Sequence, residues 1–223
     1  MEIKPVAYFR SPLQEKFGTP RQAGLAGSLR GTVVLEPAYR APESLRGLED
    51  FDYLWLIWDF HLNRGTASES LTVRPPRLGG NERVGVFASR SPYRPNHLGL
   101  SSVQIASVDA AAGEIHVLGA DLADGTPIYD IKPYVTYADC HPGARSGFVD
   151  GREWKPLEVR LPRELFPCFE PDSIDGLFEI LSQDPRPQYQ DDPERIYGLL
   201  YAGRNVKFRV KGDVLSVVGV EEL

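Results

Sequence analysis

The chain has 223 residues, 42% of them hydrophobic and 25% charged, with a net charge of −6 and a pI near 5.3. This composition fits one large globular domain or a main domain with an appendage, and argues against long disorder. No apolar run approaches the roughly 18 residues of a spanning helix, and residues 1–10 lack the layout of a secretion signal, so a cytoplasmic protein outside the membrane is expected.

The first part reads as β-rich. Residues 3–9 and 31–36 have strand character, residues 42–48 suggest one short helical turn, and the aromatic, branched run 53–60 predicts a buried strand. Residues 84–88 predict a short strand. Residues 100–109 and 114–120 predict a hairpin around 111–113, and residues 130–136 one more strand, in which Pro133 suggests an edge or an end. Many short strands with Gly/Pro turns point to a barrel or sandwich. No strand–GxGxxG–helix unit is present, and Gly79-Gly80-Asn81 reads as a turn.

The character changes near residue 142. Residues 142–156 are polar and glycine-rich and read as a linker. Residues 172–183 predict a helix capped by Asp172 or Ser173, because Ile174, Leu177, Phe178 and Leu181 recur at helical spacing. Residues 193–200 predict a second helix with Pro193 in its first turn. Residues 205–210 and 214–220 flank Lys211-Gly212-Asp213 as a terminal hairpin. The expected fold is mainly β: a β-barrel over 1–141, then the linker, then a small α+β unit over 157–223.

The acidic net charge is unevenly spread. Residues 1–94 carry a net +3 and residues 95–223 a net −9, and six arginines but no lysine fall between 64 and 94. An acidic protein can therefore present a local anion-binding face. Cys140 and Cys168 form neither a disulfide framework nor a zinc pattern. The four histidines, at 61, 97, 116 and 141, lack metal-ligand spacing, so no metal is expected.

Residues 72–101 hold four prolines, four glycines and five arginines. Such punctuation specifies an irregular backbone, and the guanidinium groups supply forked donors for carboxylate or phosphate. Within this stretch, residues 73–81 (VRPPRLGGN), 85–91 (GVFASRS), Arg94-Pro95-Asn96 and Gly99 resemble the signature of the TsaA/TrmO family of tRNA N6-threonylcarbamoyladenosine methyltransferases. The resemblance extends through Arg10-Ser11-Pro12, Lys16-Phe17, Pro20-Arg21-Gln22, Gly47-Leu48-Glu49, Phe60-His61, residues 124–127 (DGTP) and 130–134 (DIKPY). In the C-terminal part it continues through 183–187 (QDPRP), Tyr189 and 206–210 (VKFRV). The chain has Leu62 where the family often has Gln, and His97 where it often has Pro.

The resemblance implies a β-barrel methyltransferase, S-adenosyl-L-methionine as donor, homodimers, and a tRNA partner whose anticodon loop carries a threonylcarbamoyl-modified adenosine. It implies donor contacts at Arg21, Gln22, Ala23 and Gly24; at His61 and Leu62; at Arg90; at Leu98 and Gly99; and at Asp124, Gly125, Thr126 and Pro127. Asp184, Arg186, Tyr189, Lys207 and Arg209 are the candidates for positioning the substrate, and no residue is assigned as a proton acceptor. The donor's sulfonium is positive, so the arginines should face carboxylates or phosphates instead. Asp121 and Asp124 invite a paired-carboxylate glycosidase reading, but the Asp124-Gly125 turn fits better as a donor contact. Two other readings remain: a module that binds an adenosyl ligand or RNA without turnover, and a small-molecule methyltransferase.

Overall fold

The computed structural model describes residues 2–65, 70–75, 82–151, 155–186 and 192–223. Six strands close a barrel: β1 (Ala7–Arg10), β2 (Arg30–Leu35), β3 (Tyr53–Asp59), β6 (Leu98–Asp109), β7 (Glu114–Leu118) and β8 (Pro127–Pro133). Their order around the barrel is β1-β2-β7-β6-β3-β8, and every pairing is antiparallel. Two short strands, β4 (Thr72–Val73) and β5 (Val84–Gly85), pair as a separate ribbon.

Side chains alternate across a strand, so one face of each strand fills the barrel. In β3, Leu54, Leu56 and Trp58 turn inward and are 5% exposed or less, while Tyr53, Trp55 and Ile57 turn outward. Phe9, Val33, Val103, Ile115, Val117 and Ile128 complete this core. Gly99 in β6 lies directly against the Trp58 indole, and a Cβ there would stand 2.3 Å from a ring carbon. Glycine is thus the residue that lets the indole lie flat on β6.

Beyond the barrel come a single helical turn, α1 (Thr136–Asp139), and a second sheet. The second sheet contains β9 (Glu158–Arg160), β10 (Tyr197–Tyr201), β11 (Arg204–Lys211) and β12 (Val214–Glu222) in the order β10-β11-β12-β9. β9 runs parallel to β12, and the other pairings are antiparallel. Helix α2 (Pro171–Ser182) buries Gly176, Leu177, Ile180 and Leu181 on this sheet.

Three local expectations are corrected. Residues 193–200 do not form a helix, because Tyr197, Leu199 and Tyr201 alternate into the core and pair with β11, a period-two solution that outweighs Pro193 as a helix start. The N-cap of α2 is Glu170 with Pro171 at the first helical position. Ser173 donates its hydroxyl to the Glu170 carbonyl instead of capping. After two residues of β5 the chain turns into a 3-10 helix over Val86–Ala88, so 84–88 is not one strand.

The second core is not confined to the C-terminal part. Leu13, Ala26 and Leu29, from the connection between β1 and β2, are buried in it beside Leu177, Leu199 and Tyr201. Gly18 sits at φ +87° and presses on Leu199, Leu13 bridges to Tyr201, and Ala202 N–H donates to the Pro12 carbonyl at 2.9 Å. Glu179 accepts both the backbone N–H (2.7 Å) and the hydroxyl (2.9 Å) of Ser28. Among the described residues no helix is long and apolar enough to cross a membrane.

Candidate active site

Antiparallel closure brings the ends of β1, β3 and β7 and the starts of β6 and β8 to one rim of the barrel. The register places Asp59 opposite Leu98, Trp58 opposite Gly99, and Tyr8 opposite Pro127. The chain leaves β3 through a 3-10 turn over His61–Asn63, and Phe60 N–H donates to the His97 carbonyl at 2.8 Å. His97 has φ +51°, a conformation closed to proline, so the backbone here suits the residue this chain carries.

The loop 21–24 is held to the same rim. Gly24, at φ +81°, donates its N–H to the Gly119 carbonyl just past β7. Gln22 accepts a hydrogen bond from Arg90 Nη1 across 68 residues of sequence. Opposite it, the turn 124–127 is tied down by Asp124 N–H to Leu13 O (2.7 Å), Gly125 N–H to Phe9 O (2.8 Å) and Phe9 N–H to Thr126 O (2.9 Å). The Asp124 carboxylate accepts the Ser11 N–H at 3.0 Å and lies 3.9 Å from Arg10. Around Gly24 and Gly125 there is open space where a Cβ would stand. The structure therefore gathers the residues that sequence nominated at 21–24, 61–62, 90, 98–99 and 124–127.

The arginines of the irregular stretch divide by partner. Arg83 donates to Thr72 Oγ1 (2.9 Å) and Arg94 to the Ser89 carbonyl (3.1 Å), so both hold their own segment together. Arg90 is the arginine of this stretch seen to reach a different loop. Arg77 and the 79–81 turn lie outside the described residues.

Two carboxylates that the sequence did not nominate as site residues shape the electrostatics. Asp59 is 2% exposed and is neutralised by Arg64, with the Tyr129 hydroxyl donating to it at 3.2 Å. Asp59 lies within the most apolar run of the chain, and a carboxylate at such a position is the signal that marks it. Asp121 accepts the Ser101 hydroxyl at 2.5 Å, and Ser101 accepts the Trp58 indole N–H at 3.0 Å. Burial raises the Asp121 carboxyl above the usual aspartate range, opposed by its hydrogen bonds and by Arg90. Asp121 and Asp124 thus serve separate neighbours, which removes the paired-carboxylate arrangement.

Burial also lowers the His61 pKa below its usual value, opposed by the nearby Asp59 carbonyl and carboxylate. Near neutral pH the ring is uncharged, so one of its two nitrogens is an acceptor.

In the C-terminal part, Arg186 makes a two-pronged contact with Asp184 at 2.8 and 2.9 Å, and Asp184 has φ +50°. Lys207 and Arg209 share the outer face of β11, and Lys207 pairs with Glu221. Tyr189 lies outside the described residues. Among the described residues no group of three His, Cys, Asp or Glu could hold a metal ion. A cleft of about 340 Å³ lies at the opposite end of the barrel, between Leu45, Phe51 and Ile131, and none of the nominated residues lines it.

A family model described as the tRNA-methyltransferase O N-terminal domain matches residues 8–140, and the TrmO C-terminal domain model matches residues 173–223. The chain is 36% identical over 230 residues to the tRNA (adenine(37)-N6)-methyltransferase of Escherichia coli K12, covering 99% of this chain and 97% of that protein. It is 42% identical over 226 residues to a Pseudomonas aeruginosa protein named "Putative S-adenosylmethionine-dependent methyltransferase RcsF", covering 98% and 96% of the two chains. The crystal structure of TrmO from P. aeruginosa superposes with a TM-score of 0.80 at 34% identity, covering 100% of this chain and 97% of that one.

The neutral state of His61 has a consequence for stability. Its folded pKa is depressed, so the unfolded chain takes up a proton that the folded chain resists, and stability falls as pH drops below about 6.5. His61→Gln is expected to lose less stability than the parent between about pH 7.5 and 5, as read by urea unfolding. Equal losses would place the ring's titration outside the folded core.

Proposed function

The chain belongs to the tRNA-methyltransferase O family, and we propose that it is an S-adenosylmethionine-dependent tRNA methyltransferase acting on N6 of adenine 37, with its donor at the barrel rim. The observation that carries the site is the convergence of loop 21–24, Arg90, His61 and turn 124–127 on one end of the barrel. The residues there match the donor's chemistry. Arg90 is a forked cation for the methionine carboxylate. Asp124 and the backbone groups of 124–127 are acceptors for ribose hydroxyls or the amino group. His61 offers a neutral acceptor, and the open faces of Gly24 and Gly125 leave room for close approach.

When bound, the donor supplies a methyl group already activated on a positive sulfur. The chain's own contribution is positioning, which supplies up to roughly 7–11 kcal/mol in favourable cases. No arginine need face the sulfur, and the rim carboxylates Asp121 and Asp124 leave it in a field that tolerates positive charge.

The adenosine we propose as substrate already carries a threonylcarbamoyl group, whose carbonyl acidifies the N6–H and whose carboxylate needs a cation. Arg186, preset by its two-pronged contact with Asp184, and the Lys207–Arg209 face of β11 are the residues we assign to the threonyl carboxylate and to tRNA phosphates. Tyr189 is assigned to stack on a splayed base. No metal takes part in this reading, and the tRNA is met in the cytoplasm.

We further assign a homodimer, supported by the outer face of β3 and β6. Ile57 pairs in register with Leu100, which is 56% exposed, and Trp55, Tyr53 and Tyr134 continue the aromatic surface.

Three outcomes follow. Arg90→Ala should weaken donor binding by about 10-fold or more in calorimetry, as expected for a lost charge-assisted contact; unchanged binding would remove Arg90 from the site. Methyl transfer to tRNA lacking the threonylcarbamoyl group should show kcat/KM lower by roughly 10–100-fold, and equal rates would sink the substrate reading. Leu100→Arg should convert dimer to monomer in sedimentation velocity; a dimer that persists would place the interface elsewhere.

A further inference from the structure

The segment 24–29, which continues the loop 21–24, runs between the barrel and the C-terminal part. On the barrel side lies Gly119, just past β7. Its carbonyl accepts the Gly24 N–H at 2.8 Å, and its own N–H donates to the Leu29 carbonyl at 2.9 Å. Gly119 sits at φ +73°, and a Cβ there would stand 3.5 Å from the Gly24 backbone. On the other side lies helix α2, where Gly176 faces Leu29 so closely that a Cβ would stand 3.2 Å from its Cα. One glycine from each part therefore admits the segment.

Glu179 follows Gly176 at helical spacing and so shares its face of α2. Its Oε2 accepts the Ser28 backbone N–H at 2.7 Å and its Oε1 the Ser28 hydroxyl at 2.9 Å, across 151 residues of sequence. Both residues are half-buried. Hydrogen bonds to a carboxylate are the stronger kind, and two at once fix orientation as well as distance. Glu179 is not what holds α2 on its sheet, because burial of Leu177, Ile180 and Leu181 does that. Its carboxylate is spent on the connection between β1 and β2 instead. Residues 21–24 have no helix or strand of their own. Their C-terminal end is placed by this segment, gripped by Gly119 from one side and by Glu179 from the other.

We propose that Glu179 is a positioning residue of the donor site: through Ser28 it holds the segment 24–29 against Gly119, and so sets where Gln22, Ala23 and Gly24 stand at the barrel rim. The inference rests on the donor site assigned above. It makes donor affinity depend on a helix of the C-terminal part. The end of that helix leads into Asp184 and Arg186, the pair assigned to the substrate, so α2 serves both sides of the reaction.

Glu179→Ala leaves the Ser28 N–H without its partner. The probe is S-adenosylhomocysteine, titrated by calorimetry into the full chain, with kcat and KM for the donor measured alongside. The expected result is a Kd raised roughly 10-fold and kcat at saturating donor within about two-fold of the parent. Glu179→Gln should restore binding to within about three-fold of the parent, because its amide oxygen can accept the N–H while its amide nitrogen donates to the hydroxyl. An unchanged Kd for Glu179→Ala overturns the inference, and so does a glutamine variant as weak as the alanine one. Ile180→Val trims the buried face of α2 and lowers stability without removing the Ser28 contact. Its Kd should match the parent; a rise equal to that of Glu179→Ala means that donor affinity only tracks stability, and the positioning role falls. If Glu179→Ala does not fold, Ser28→Ala removes the hydroxyl alone and should raise Kd roughly 3-fold; no rise overturns the inference. Arg90→Ala separates the two readings. If it and Glu179→Ala are both silent, the donor site lies elsewhere; if only Glu179→Ala is silent, the positioning role alone falls.

Discussion

The closing seam of the barrel is the contact on which the rim depends. β1 is four residues long, yet it pairs along its length with β2 and through Ala7 and Tyr8 with β8. Without this seam, β2 and β8 would be open edges, and the ends of β1, β3 and β7 would not share a centre. A six-stranded barrel is also narrow, so its interior is filled by side chains such as Phe9, Trp58 and Ile115 rather than by a ligand. Polar chemistry is displaced to the mouth, where strands stop and loops begin. The irregular backbones at 21–24 and 124–127 hydrogen-bond to strand ends, which gives loops the rigidity of the scaffold.

The connection between β1 and β2 serves both cores. Its flanks, Leu13, Ala26 and Leu29, are buried in the C-terminal core, and its middle carries Gln22, Ala23 and Gly24 at the barrel rim. Helix α2 grips the same connection through Glu179 and Ser28, and Asp172 lies 3.4 Å from Arg30 at the start of β2. The C-terminal part is thus a buttress for the loop that we assign to the donor, whatever else it contributes to tRNA. A shared core means that loosening either part is felt by both, because buried apolar contacts are cooperative at this density.

Charge is arranged on a finer scale than the net −6 suggests. Arg64 is committed to the buried Asp59, while Arg83 and Arg94 hold their own loop. Arg90 reaches across to a second loop. An arginine count in the sequence overstates the cations available to a substrate, since each buried carboxylate and each irregular turn claims one first. Likewise Lys207 is paired with Glu221, so an incoming phosphate would have to compete with a carboxylate for it.

Most of the barrel could be read along the chain, because strand alternation is a local property. The inward set Leu54, Leu56 and Trp58 and the hairpin of β6 and β7 are written in period two. The nominated loops were visible as dense Gly, Pro and Arg punctuation whose motifs run in a fixed order. The strand at Tyr197–Tyr201 was misread as helix because Pro193 is a local signal, whereas burial of Tyr197, Leu199 and Tyr201 depends on a partner strand. The register that sets Asp59 opposite Leu98, the meeting of Gln22 with Arg90, and that of Ser101 with Asp121 come from chain closure over tens of residues. The sequence by itself determined the strand content, the punctuated loops and the family they mark. Only the tertiary structure decided which carboxylates are buried and which arginine reaches a second loop, because burial and pairing are properties of neighbours that the chain brings together only on folding.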